Sequence, residues 1–157
     1  MCSSDLFKIN VNGATSENER NSSVRVVIRD VNGKVLAACC SYLQGHYSVE
    51  EVEAMAIERG LLLAKELKLP HIILESDALN VVSNITAANS SGWLGHVYHG
   101  ILGLLSSFSS WNVKHAKRDY NKAAHILAQY ARQKEESYVW EGVCPPMVAQ
   151  VIQEEEM

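Results

Sequence analysis

Proline is scarce in this 157-residue chain: Pro70 and the pair Pro145-Pro146 are all there is. That excludes a Pro-rich linker or extended recognition tract and leaves the first 69 residues uninterrupted. No apolar run approaches the ~20 residues that a membrane helix needs. Positive charge is not in excess, with 14 Lys+Arg against 18 Asp+Glu and a formal net charge of −4, so attraction of nucleic acid by bulk charge is excluded, although a local basic patch is not. The four cysteines (Cys2, Cys39, Cys40, Cys144) show no CxxC or finger spacing, which excludes a zinc ribbon. There is no internal repeat and no low-complexity run. Residues 1–8 contain no signal-peptide core, so the expected location is intracellular and reducing (cytoplasm or nucleus), not secreted. The sequons at Asn21, Asn84 and Asn89 are then chance matches.

What remains is an ordinary globular composition, 47% hydrophobic and 20% charged, sized for one domain, here taken as a monomer. Leu6 to Val11 alternates, with Phe7, Ile9 and Val11 on one face. Val24 to Asp30 is β-branched, and Lys34 to Tyr42 follows Val31-Asn32-Gly33, a hairpin signal. The polar stretch Thr15 to Ser23 reads as a loose turn. Ser48 with Glu51 forms a capping box opening a helix over Val49 to Leu69. His71 to Glu75 is a short apolar strand. Asp77 to Ala87 and Val97 to Phe108 read as helices, Trp111 to Ala116 as a fifth strand and Asn121 to Gln133 as a last helix. The order βββ, then αβ(αα)βα, implies an α/β fold: a mixed five-stranded sheet, three antiparallel strands then parallel crossovers, flanked by helices. The core spans about 6–135, followed by an acidic extension over 136–157.

Three places could carry chemistry. On a helical wheel Glu53 falls on the stripe of Ala56, Ile57, Gly60 and Ala64 that should face the sheet, whereas Glu51, Glu58, Arg59, Lys65 and Glu66 fall on the wet side. A carboxylate on that stripe either is paired, binds a cation, or escapes to solvent near the helix start. Asp77 follows a strand and precedes a helix, so it is either an N-cap or a ligand-binding group at the carboxyl end of a strand. His115 ends a strand, and Asn121 is either an N-cap or part of the same cluster. His96 and His99 read as surface histidines. Between Asn112 and Lys134 lie Lys114, Lys117, Arg118, Lys122, Arg132 and Lys134 with Asp119 the only acid, either a solvated face or a local positive edge.

Several segments together resemble plant ribonuclease H-like domains of the reverse-transcriptase-associated, retroelement-derived type. Lys8-Ile9-Asn10-Val11-Asn12-Gly13-Ala14 is similar to the opening strand of that family. Val27 to Lys34 resembles its second-strand hairpin, and Val52-Glu53-Ala54-Met55-Ala56 its first helix. Ile73-Leu74-Glu75-Ser76-Asp77 resembles its fourth-strand end, and Val113 to Ala128, with His115-Ala116 and Asn121, its closing segment. The resemblance implies two-metal hydrolysis of the RNA strand of RNA/DNA hybrids, with Mg²⁺ (or Mn²⁺) held by four carboxylates. Two divalent ions about 3.5–4 Å apart activate a water and neutralise the leaving oxygen, and they require hard anionic oxygens.

Matched residue by residue, Glu53 and Asp77 keep two carboxylate positions and His115 keeps the histidine. Asn12 and His125 replace the other two carboxylates, Asn12 without a charge and His125 with a nitrogen ill suited to Mg²⁺. Ser22-Ser23-Val24-Arg25 departs from the family's Gly-rich strand entry. The expected function is therefore a ribonuclease H-type domain with weakened hydrolysis. The alternative is an inactive relative that binds hybrid or structured RNA through Lys114, Lys117, Arg118, Asn121 and Lys122, or that binds a protein.

Overall fold

The computed structural model describes residues 5–15, 21–89 and 92–117, and the main chain of 138–141. Its strands are β1 (Leu6–Thr15), β2 (Asn21–Arg29), β3 (Val35–Gln44), β4 (His71–Ser76), β5 (Ser110–His115) and β6 (Tyr138–Glu141); its helices are α1 (Val49–Glu66), α2 (Leu79–Thr86) and α3 (Gly95–Leu105). The five expected strands form one mixed sheet. A sixth, β6, joins antiparallel to β3, so four residues assigned to the acidic extension lie in the sheet, whose order is β5-β4-β1-β2-β3-β6. β1, β2 and β3 make an antiparallel meander, while β4 and β5 run parallel to β1. The expected last helix, Asn121 to Gln133, lies outside the described residues.

The polar segment before Val24 departs from expectation. β1 continues to Thr15 and β2 begins at Asn21, pairing Thr15 with Ser22 and Ala14 with Ser23. Ser22 and Ser23 are fully buried. Their position in a central strand overrides their turn preference, because the flanking strands supply their main-chain hydrogen bonds. The hairpin at Asn32-Gly33 forms as its sequence dictates. Asp30 Oδ1 accepts from the N–H groups of Asn32 (2.9 Å) and Lys34 (3.0 Å), and Gly33 takes φ +82°.

α1 lies on the face of the sheet formed by Ile9, Val11, Val26, Ile28, Ala37, Cys39 and Leu74. Gly60 permits the close approach: a Cβ there would sit 2.8 Å from Val11 Cγ1 and 3.2 Å from Ile9 Cγ2. The capping box is complete, Ser48 Oγ accepting from Glu51 N and Glu51 Oε1 from Ser48 N, each at 3.1 Å. Arg59 is not wholly on the wet side; it is half-buried, and its charge acts on Cys39. Cys39 and Cys40 are both buried thiols on opposite faces of β3. Burial pushes the Cys39 thiol up despite the Arg59 charge, which keeps it protonated and unreactive. The opposite face of the sheet is buried as well, and there Asn10, Asn12 and Arg25 replace the aliphatic side chains.

Candidate functional site

The parallel strands β1, β4 and β5 end at one rim. β1 runs beside β4 as far as the pair Asn10–Glu75, so Asn12 lies two residues further on and Asp77 directly follows the strand. β4 pairs with β5 up to Ser76–His115, and the rim is tied by Ala116 N–H donating to Ser76 O at 2.9 Å. Asp77 and His115 thus occupy neighbouring strand ends, where open α/β sheets bind ligands, and Asn12 lies on β1 just past its pairing with β4.

α1 contributes Glu53 from above. Only 8% of Glu53 is exposed, so it does not escape into solvent. Its Oε1 accepts a hydrogen bond from Gly13 N–H at 3.2 Å, which pins the helix to the end of β1. A Cβ on Gly13 would lie 2.6 Å from Val52 Cγ1 and 3.1 Å from Glu53 Oε1, so a residue without a side chain is required. The sequence reading missed this donor; its signal was the Asn12-Gly13 step interrupting the alternation of β1. A cleft lined by Val49, Glu50, Glu53 and Ala78 to Val81 sets Glu53 across from the start of α2, and Asp77 is the residue just before that lining.

Asp77 is not the cap of α2. The N-cap is Ala78 with no side-chain cap, and Ser76 Oγ instead accepts from Ala78 N–H at 3.1 Å. Asp77 itself is half-buried. The neighbouring Glu75 is structural: its carboxylate pairs with Lys8 Nζ at 3.2 Å and accepts from Asn10 Nδ2 at 3.3 Å. His115 is exposed, as are Lys114 and Lys117 along the edge strand. His96 and His99 are also exposed. Arg118, Asn121, Lys122 and His125 lie outside the described residues.

One feature of the rim is not a carboxylate. Arg25 stands on β2 directly opposite Asn12 and is fully buried. Burial pulls its guanidinium down to about 9, while the Cys40, Cys39 and Glu53 groups pull it back up. It therefore remains a cation at neutral pH.

The described donors do not fit a pair of divalent ions. Among the described residues no three His, Cys, Asp or Glu side chains gather as a metal set. Glu53 and Asp77 supply two charges, Asn12 supplies none, and Arg25 adds a charge of the wrong sign.

The reverse transcriptase-like family model matches residues 10–131. A ribonuclease H protein of Arabidopsis thaliana is 30% identical over 132 residues, covering 79% of this chain but 20% of its own length, so the chain spans about a fifth of that relative. Ribonuclease H1 of the halophilic archaeon Halobacterium salinarum superposes with a TM-score of 0.76 at 22% identity, over 82% of this chain and 98% of that one. LC11 ribonuclease H1, solved in complex with an RNA/DNA hybrid, gives 0.74 at 20% identity over 82% and 98%.

Proposed function

The chain belongs to the reverse transcriptase-like family with a ribonuclease H-like fold, and we propose that it is a nucleic-acid-binding domain of ribonuclease H type that engages RNA/DNA hybrids and hydrolyses the RNA strand weakly. The observation that supports this reading most is the rim itself. Glu53, buried and fixed by Gly13 N–H, shares a cleft with the start of α2, immediately after Asp77, and His115 ends the neighbouring strand β5. The exposed Lys114 and Lys117 flank that rim and offer contacts to phosphates. Recognition would follow the A-like shape and 2′-hydroxyls of the hybrid, with little sequence preference.

A second reading, binding without cutting, is favoured by Asn12 and Arg25, which reduce the negative charge where hydrolysis needs most of it. A labelled hybrid separates the two. Binding at low salt should fall about tenfold or more between 50 and 200 mM salt as phosphate contacts are screened. Cleavage in Mg²⁺ or Mn²⁺, if retained, should be abolished by Asp77→Asn. Binding without cleavage supports the second reading, and no binding at low salt rejects both.

A further inference from the structure

The position of Arg25 raises a question that the weakened carboxylate set alone does not answer. None of its three guanidinium nitrogens has a hydrogen-bond partner among the described residues, and its side chain is 0% exposed. A buried charge without a partner is among the costliest arrangements in a protein interior, and a neutral side chain of similar volume would pack there without that cost. Its in-register neighbours across the sheet are Asn12 on β1 and Cys40 on β3. Directly opposed side chains on one face of a sheet have Cβ atoms about 4.5–5.5 Å apart. Glu53 has its carboxylate held by Gly13 N–H, one residue along β1 from the cross-strand partner of Arg25.

We propose that Arg25 and Asn12 form a matched charge exchange in which a fixed guanidinium replaces a divalent cation as the positive charge of the rim, leaving the site without sub-millimolar affinity for divalent metal. This rests on the ribonuclease H-type reading only for what the site is compared with; the exchange stands or falls on metal binding. Two carboxylates less one guanidinium leave a net charge of −1 among Glu53, Asp77 and Arg25. Two divalent ions carry +4, of which this rim balances only a small part. Asn12 belongs to the same exchange. An aspartate there would face the guanidinium across the strand pair and be neutralised by it, so reverting Asn12 alone does not rebuild a metal site.

Mn²⁺ binding, followed by electron paramagnetic resonance and by the Mg²⁺-dependent shift of the melting temperature, tests this on the full chain. The wild type should show neither saturable binding at sub-millimolar Mn²⁺ nor a melting shift. Asn12→Asp should remain within about threefold of the wild type. Asn12→Asp with Arg25→Met should bind at least tenfold more tightly than Asn12→Asp, and Asn12→Asp with Arg25→Lys should not. The single Arg25→Met variant, which keeps the volume of the site, should also gain affinity over the wild type and serves if the double variant does not fold. Tight binding by the wild type, full restoration by Asn12→Asp alone, or equal gains from Met and Lys at position 25 would each overturn the exchange. Hybrid binding measured in EDTA keeps the two readings apart: its absence refutes the functional proposal while leaving the metal pattern to judge the exchange.

Discussion

Arg25 shows how much one side chain can decide. With no hydrogen-bond partner for its guanidinium among the described residues, Arg25→Met should raise stability by about 1–4 kcal/mol at pH 7 in urea unfolding, as replacing buried ionic groups by well-packed apolar ones can do. The sign of the pH dependence follows from the shift. The folded value, about 9, lies well below the ordinary guanidinium value, so the folded state binds fewer protons between those limits. The cost of burying the charge is complete below pH 9 and is relieved as pH rises above it. The advantage of the Met variant should therefore shrink between pH 9 and the ordinary value. Gly13 is the second decisive residue. Gly13→Ala forces apart β1 and the Val52–Glu53 turn of α1, so it should cost about 1–3 kcal/mol and weaken hybrid binding together with stability.

Among the elements, α1 was the most legible: its capping box, its buried stripe and the inward placement of Glu53 all follow from 3.6-residue periodicity. What periodicity could not give was set by tertiary contacts. Ser22 and Ser23 belong to β2 because neighbouring strands pair with them, and Asp77 yields the start of α2 to Ala78 because Ser76 Oγ meets that N–H first. Helix ends were equally hidden. α1 and α2 both close with a residue in the left-handed region, Lys68 at φ +57° and Ala88 at +53°. The N–H of the following residue reaches back in each case, Leu69 to Ala64 O at 3.1 Å and Asn89 to Asn84 O at 2.9 Å. Glycine is the residue suited to that conformation. Lys68→Gly should accordingly raise stability by about 0.5–1 kcal/mol in thermal unfolding. Tyr98 joins α3 to α1, its hydroxyl donating to Glu50 Oε1 at 2.6 Å. Burial and this bond raise the phenol from 10 to about 12, against the opposing effect of Asn84. Its contribution is therefore complete below pH 10 and lost as pH rises through 12. Tyr98→Phe should cost about 1–2 kcal/mol at pH 7, with the difference closing over that interval.

At the scale of the whole molecule, an overall charge of −4 coexists with an exposed basic edge at Lys114 and Lys117. Hybrid binding should therefore respond to a few lysines and not to total charge: Lys114→Glu with Lys117→Glu should weaken affinity several-fold and flatten its salt dependence, by gel shift across a salt series. The carboxylate positions were readable because their spacing around strands and a helix survives in the sequence, whereas the Arg25–Asn12 opposition depends on strand register and becomes visible only in three dimensions. β6 was unreadable for a related reason, since four residues between acids carry too short a pattern to announce a strand. Yet Tyr138–Glu141 pairs with Ala37 to Cys40 on the outer side of β3, whereas the family match stops at residue 131. A protein shortened to that boundary would bare the edge Ala37-Ala38-Cys39-Cys40, with unmet N–H and C=O groups ready to recruit another molecule's strand. Such a fragment should scatter light and precipitate at concentrations where the full chain stays clear, so its failure would reflect a missing selvedge and not a failed fold.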